Sequence, residues 1–359
     1  MPEWTRGSLP YNAWPTWLQH RWNLACQPGD SFLGQGGAFS DWRPATVENA
    51  RFALGDYLRG VDAPLSPAGQ FITPPNIRLY ILSMRRRGLR LRTLHTRIAF
   101  LFRVAKRLWP DNDWSWLGVI VARLAQRSRA APKLRRPFVH LRDLYAAGFA
   151  LMDEAASGHI GVYRVLQYRD GLLLALLAVA PVRLKNAQQA TEAHLDLDAH
   201  TIAWEGHETK NHDPLCYNLP EDLVERLSAW LQRYRPWLMQ HCGKESQSLW
   251  LNRHGQALNG RGLREQLKRR TETALGVIIR PHDIRTCVAT SIISDFPDRI
   301  EDARNLLGHR HPRSIESYKT AAASFGAQRK TSTVRADLRK SARPRRKPHL
   351  RLASTPDAL

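Results

Sequence analysis

Apolar residues recur at helical spacing over most of the chain. In residues 42–61, Val47, Leu54, Leu58 and Val61 recur near a period of about 3.6 residues, which predicts an amphipathic helix. Comparable segments follow up to about residue 325. The chain is therefore predicted to be mainly helical.

Residues 77–109 contain two further predicted helices, which Gly88 separates. Thr73 before Pro74 marks the start of the first, since a capping residue before a first-turn proline is a common helix start. Each helix has an apolar face and a basic face. A basic face is often only solvated, but almost no acidic residue offsets this one, which favours contact with the DNA backbone. The arginines assigned to that contact are Arg85, Arg86, Arg87, Arg90, Arg92 and Arg97.

A short central region has the pattern of strands instead of helices. Residues 192–198, 201–205 and 215–219 are strand-like and are bounded by polar turns. The predicted fold class is therefore mainly α with a small antiparallel β-sheet, an α+β fold.

Changes in composition divide the chain into five segments. Proline-bounded basic stretches without an apolar period are typical of linkers, and a basic tail with few large apolar residues is typical of disorder. The segments are an irregular Trp- and Pro-rich N-terminal arm (1–41), a helical domain (42–130), a basic linker (131–136), a second domain (137–328) and a basic C-terminal tail (329–359).

The charge of the chain indicates its class of partner. Its 359 residues include 54 Lys and Arg against 32 Asp and Glu, a formal net charge of +22. A basic globular chain of this kind is typical of a nucleic-acid binder, because neutralising phosphates releases condensed counterions. A ribosome- or membrane-associated protein, or charge that serves solubility alone, is the alternative.

The remaining composition argues against several other classes. The four cysteines form no C-x-x-C pair and the histidines are dispersed, so we expect no metal site, no disulfide framework and a reducing compartment. The N-terminus has no apolar core of signal-peptide length, and the longest apolar stretch, residues 172–182, is too short to span a bilayer. We expect a cytoplasmic, nucleoid-associated protein with no membrane partner.

Six residues in a fixed order suit phosphodiester transesterification. Two guanidiniums can hold the phosphate oxygens, a tyrosine can attack and keep the bond in a covalent intermediate, and a Lys or His can protonate the leaving oxygen. Such a reaction requires no cofactor. The candidates are Arg183, Lys210, His282, Arg285, His309 and Tyr318.

The context of each candidate is consistent with that chemistry. His282 and Arg285 are three residues apart and share a helix face. Arg183 ends the most apolar helix, and Lys210 lies in the turn between two predicted strands. Taken singly, each has a bland alternative. Arg183 could be a surface or salt-bridge arginine, Lys210 a solvated turn residue, and the spacing of His282 and Arg285 a chance one. His309 could be a helix cap, and Tyr318 a core aromatic with a bonded hydroxyl.

The stretches LLGHRHPRSIESY, PHDIRTCVAT and ETKNHDP together resemble the tyrosine recombinase (phage integrase) family. The resemblance implies a catalytic domain in residues 137–328, most clearly up to 325, and, more weakly, a DNA-binding core-binding domain in residues 42–130. It also implies that the protein is a site-specific recombinase, of an integrase or a transposon, which acts as a tetramer on double-stranded DNA. Strand exchange then passes through a Holliday junction, and accessory proteins can take part.

The resemblance also assigns a role to each candidate. Arg183, Arg285 and His309 would bind the scissile phosphate, and Tyr318 would form a 3′-phosphotyrosine bond. Lys210 would be the general acid and His282 an assisting acid or base. The C-terminal tail would dock on a neighbouring protomer. One departure is Asn186, which stands where the family has an acidic residue.

Three alternatives remain open at this point. A catalytically impaired accessory protein would keep the fold and lose the chemistry, although all six candidate residues are present. A type IB topoisomerase would share the cleavage step without exchanging partners. An all-helical RNA-binding protein would not need the ordered set of residues.

Overall fold

The computed structural model describes residues 7–30, 36–60, 67–131, 137–308, 318–319 and 322–323. They fall into two compact units, one within Met1–Leu134 and one within Arg135–Leu359. Each unit has a hydrophobic core of its own. Most of the predicted linker and all of the predicted C-terminal tail lie outside the described residues.

The described part of the N-terminal unit contains five α-helices. They are α1 (Thr16–Ala25), α2 (Pro44–Leu58), α3 (Pro74–Arg86), α4 (Leu91–Leu108) and α5 (Ser115–Ala130). The predicted start of α3 is confirmed, since the Thr73 hydroxyl accepts a hydrogen bond from the backbone N–H of Asn76 at 3.3 Å. The predicted break is confirmed as well, at Gly88 with φ of 71°.

The structure differs from the irregular arm expected in residues 1–41. Helix α1 buries Leu18 and Trp22, and both belong to the same core as Leu54 of α2 and Ile98 of α4. The reason is the spacing of the apolar side chains, which places one face of α1 against α4 and in the core shared with α2. The described part of this segment therefore folds with the helices that follow it.

The described part of the C-terminal unit is mainly helical around one small sheet, which confirms the predicted fold class. The helices are α6 (Leu141–Ala156), α7 (Val162–Val179), α8 (Leu184–Gln189), α9 (Glu221–Ala229), α10 (Arg235–Cys242), α11 (Gly260–Leu275), α12 (Pro281–Asp295) and α13 (Ile300–Leu306). A π-helical turn, Trp230–Tyr234, joins α9 to α10. The strands β1 (Leu195–Asp196), β2 (Thr201–Trp204) and β3 (Leu215–Asn218) pair antiparallel in that order.

Helix α7 forms the centre of this unit. Its residues from Gln167 to Ala178 are all buried. A β-carbon on Gly148 of α6 would lie 2.7 Å from the carbonyl oxygen of Gly171 of α7, so glycine is needed where these helices meet. The chain leaves α7 through Pro181 and reaches Arg183, which directly precedes α8.

Candidate active site

Arg285 is almost fully buried within α12, at 4% exposure. Its guanidinium donates hydrogen bonds to the carbonyl oxygen of Pro181 and, at 2.7 Å, to that of Leu307. One side chain thus joins the segment that precedes Arg183 to the end of α13. Burial, and to a lesser extent the positive charge of Arg183, lower the pKa of Arg285 to about 10.

Arg183 and two tyrosines are close enough to Arg285 to influence its pKa. Tyr217 and Tyr318 raise the pKa of Arg285 and so partly offset its burial. Burial in turn raises the pKa of Tyr217 to about 12, against the opposing effect of both arginines. Among the described residues, no carboxylate is within ion-pair distance of Arg285 or shifts its pKa. A buried positive charge of this kind favours an anion as its partner.

Tyr318 packs against α12 and α13, close enough to Arg285 to influence its pKa. It is 6% exposed and packs with Ala289 and Ile293 of α12 and with Leu307 beside α13. The candidate nucleophile is thus held by the same helix that carries Arg285. Arg183 and Tyr318 thus lie near enough to Arg285 to influence its pKa.

Tyr217 is a member of this site that sequence reasoning missed. Its hydroxyl donates to the carbonyl oxygen of Leu306 at 2.9 Å, which ties β3 to α13. In the sequence it appeared only as an apolar position of a strand. No local signal distinguishes it, because its contact depends on a residue 89 positions away.

Lys210 lies exposed in the turn between β2 and β3, the place that the sequence predicted. The Thr209 hydroxyl donates to the carbonyl oxygen of Asp213 at 2.8 Å and closes the turn. The Asn211 amide donates to the carbonyl oxygen of Gly308 at 3.0 Å. The hairpin tip is thereby joined to the residue that follows α13.

The two candidate histidines are placed differently. The His282 ring is exposed in the first turn of α12, one turn before the buried Arg285. His309 lies outside the described residues. Gly308, directly before it, has φ of 57°, a conformation that favours glycine and ends α13 sharply.

The chain shares its sequence pattern with known recombinases over most of its length. A tyrosine recombinase XerC of Bacillus licheniformis is 24% identical over 253 residues, which cover 69% of this chain and 76% of the relative. A tyrosine recombinase XerC of Anoxybacillus flavithermus is 22% identical over 274 residues, or 76% and 86% of the two chains. No family model matches the chain.

Solved structures show the same fold. The XerH site-specific recombinase bound to palindromic difH substrate, in a post-cleavage complex, superposes with a TM-score of 0.54 at 17% identity, covering 81% of this chain and 79% of that one. A lambda integrase dimer bound to a COC′ core site gives 0.51 at 16% identity, with 85% and 76% covered. The chain is similar in sequence to tyrosine recombinases and shares their fold.

Asn186 stands where the tyrosine recombinase pattern has an acidic residue, and its contact shows what the amide does. The side chain is buried, and Nδ2 lies 3.3 Å from the carbonyl oxygen of Glu208. An ionised carboxylate cannot donate to a carbonyl oxygen, whereas an amide can. The amide thus makes a direct contact with the hairpin that carries Lys210.

The arginines assigned to DNA in the N-terminal unit divide into two groups. Arg87 and Arg97 pair with the buried carboxylate of Asp56, which also accepts a hydrogen bond from the Tyr80 hydroxyl at 2.5 Å. Their guanidiniums therefore have a partner within the unit. The other members are exposed, namely Arg85, Arg86, Arg90 and Arg92.

Helix α11 presents a second basic surface, which sequence reasoning did not single out. Arg261, Arg264 and Arg269 are exposed, whereas Leu263 and Leu267 face the core. The signal was present as basic residues recurring at helical spacing beside a buried apolar face.

The described residues contain no cluster of three His, Cys, Asp or Glu side chains that is suited to a metal ion. None of their helices combines the length and the apolar character that crossing a membrane requires.

Proposed function

We propose that the protein is a site-specific recombinase, which cuts and rejoins double-stranded DNA through a covalent bond between Tyr318 and a strand phosphate. The observation that carries the assignment is the buried Arg285, placed beside Arg183 and Tyr318 with no carboxylate partner among the described residues. A phosphate provides the anion that these guanidiniums lack.

The cleavage step follows from the roles of the side chains. The Tyr318 oxygen attacks the phosphorus and forms a phosphotyrosine bond, and the bond from phosphorus to the 5′ oxygen breaks with its electron pair on that oxygen. Lys210 donates a proton to the departing oxygen, and the Tyr318 proton passes to a base, for which His282 is the candidate. Arg183 and Arg285 stabilise the charge that develops on the phosphate.

Rejoining is the reverse reaction with a 5′ hydroxyl from another strand. The covalent bond to Tyr318 keeps the energy of the broken phosphodiester, so the exchange needs no external energy source. His309 would add a further contact to the phosphate, by resemblance to the family. The exposed arginines of α3 and α4 in the N-terminal unit, and those of α11 in the C-terminal unit, would bind the DNA backbone.

The number of protein chains in the active complex follows from the number of DNA strands that the reaction breaks. Exchange between two duplexes breaks four strands, and each copy carries one Tyr318, so we propose a tetramer on two DNA sites with a Holliday junction as intermediate. Accessory proteins would assist its assembly. Because its substrate would be cellular DNA, the recombinase would act in the cytoplasm, at the nucleoid.

Strand exchange between two distinguishable duplexes tests this function. Each duplex would carry a site that the purified protein selects from a randomised pool, and only one would be labelled. We expect labelled recombinants with the wild-type chain and none with Tyr318→Phe. Relaxation of supercoiled DNA without recombinants would indicate a topoisomerase, and binding without cleavage would indicate an accessory protein.

A further inference from the structure

Glu208, two residues before Lys210, makes hydrogen bonds through both its side chain and its main chain. One carboxylate oxygen lies 2.9 Å from Nε2 of His194, and the other accepts the backbone N–H of Glu205 at 2.8 Å. The Glu208 carbonyl oxygen accepts the amide of Asn186. These hydrogen bonds fix the start of the Lys210 turn to Asn186 and His194, which precede β1, and to Glu205, which follows β2.

The His194 ring is itself held in one orientation. Its Nδ1 accepts the backbone N–H of Thr191 at 3.1 Å and lies 2.8 Å from the Thr191 hydroxyl. With Nδ1 accepting, the ring proton is on Nε2 and points at Glu208. The ring also lies 5.6 Å from that of Trp204, a buried residue of β2.

Both partners of this contact are partly buried. The His194 side chain is 12% exposed and that of Glu208 is 28% exposed. Burial opposes the ionisation of Glu208, but hydrogen bonds from the Glu205 backbone and from His194 outweigh it and lower the pKa of Glu208. The carboxylate is therefore ionised at neutral pH and attracts the His194 N–H.

These contacts matter because a lysine is a difficult general acid to place. Its side chain has four rotatable bonds, so the position of its ammonium depends on the backbone that carries it. A displacement of about 1 Å can cost about 10²-fold in rate. The Lys210 turn is tied at Glu208 on one side and through Asn211 to Gly308 on the other.

We propose that His194 and Glu208 are positioning residues that hold the hairpin so that Lys210 reaches the 5′ oxygen of the cleaved strand. This inference rests on the proposed function, because it takes Lys210 as the general acid. Neither residue touches the phosphate in this account. Each acts through the backbone of the turn.

A sulfur-substituted DNA separates this role from a general structural one. When sulfur replaces the bridging 5′ oxygen, the phosphorus–sulfur bond breaks and a thiolate leaves with the electron pair. A thiolate is a much weaker base than an alkoxide, so it leaves without a general acid. A defect in placing Lys210 should therefore disappear on this DNA, whereas a defect in the rest of the site should remain.

The experiment compares single-turnover cleavage of ordinary and sulfur-substituted DNA by full-length variants. On ordinary DNA we expect Glu208→Gln and His194→Ala to be slower by about 10- to 100-fold. Lys210→Ala should be slower by about 10²- to 10⁴-fold. On sulfur-substituted DNA all three should approach the wild-type rate. His207→Ala, in the same turn with an exposed ring, is the matched control and should cleave both DNAs normally.

The contrary outcomes are distinct. The inference would be overturned if Glu208→Gln and His194→Ala were slowed equally on both DNAs. It would also be overturned if both variants cleaved ordinary DNA at the wild-type rate. Either result would leave the proposed function unaffected. Failure of Lys210→Ala to recover would overturn the inference too, because no acid would remain to be positioned. If the wild-type chain cleaves neither DNA, the proposed function itself fails.

Discussion

At the scale of single residues, Arg183 and Arg285 differ in how much else depends on them. Arg285 donates to two backbone carbonyl oxygens and therefore supports the fold as well as the site. Arg183 is only partly buried and stands at the N-terminal end of α8. Arg183 is thus the better residue for separating phosphate stabilisation from folding.

Replacing Arg183 should slow cleavage with little loss of stability. We expect Arg183→Ala to reduce the single-turnover cleavage rate by about 10²- to 10³-fold, the cost of removing one preorganised donor. Thermal unfolding should change little. Arg142→Ala, at a side chain that is 77% exposed, is the matched control and should leave cleavage unchanged. Near-normal cleavage by Arg183→Ala would remove this arginine from the site.

At the scale of secondary-structure elements, Asp56 joins three helices of the N-terminal unit. Its carboxylate, on α2, accepts hydrogen bonds from Tyr80 of α3 and Arg97 of α4, and from Arg87 just beyond α3. Removing a buried carboxylate leaves its arginines uncompensated, which is costly in a low-dielectric interior.

Asp56→Ala should therefore lower the free energy of unfolding by about 3–5 kcal/mol. Urea denaturation of the full chain measures the change, with a probe in the N-terminal unit because the two units need not unfold together. Glu48→Ala, which removes an exposed i,i+3 pair with Arg51, should cost less than about 1 kcal/mol. If Asp56→Ala lowered the free energy of unfolding as little as Glu48→Ala, its arginines would have found solvent or other partners.

Elements were predictable from the sequence wherever a local pattern sets them. The period of apolar residues predicted α2 to α4, and polar turns predicted the hairpin that carries Lys210. The pairing of Arg87 and Arg97 with Asp56 was not predictable, because it spans 31 and 41 residues. The same limit hid Tyr217. Helix α1 was missed although Leu18, Trp22 and Ala25 have helical spacing, since the surrounding Trp and Pro suggested an irregular arm.

At the scale of the whole molecule, the net charge of +22 makes DNA affinity depend on salt. Each phosphate contact that is lost should reduce the slope of log K against log salt by about 0.9. We expect Arg90→Ala and Arg92→Ala, which remove exposed arginines, each to reduce this slope. Fluorescence anisotropy on a labelled duplex measures it.

Arg87→Ala provides the matched comparison within the same cluster. Because Arg87 pairs with Asp56, its loss should lower stability and leave the salt slope close to that of the wild-type chain. A slope reduced as much as in Arg90→Ala would place Arg87 at the DNA instead.

Trapping a covalent complex tests the central claim most directly. The substrate is a duplex that the protein selects from a randomised pool, nicked near the cleavage position so that the released fragment diffuses away. The account predicts a denaturation-resistant complex with the wild-type chain and none with Tyr318→Phe, which should bind the same DNA with unchanged affinity. Two results would contradict Tyr318 as the nucleophile. One is a covalent complex that still forms with Tyr318→Phe, and the other is a wild-type protein that binds and cleaves the DNA without forming a covalent complex.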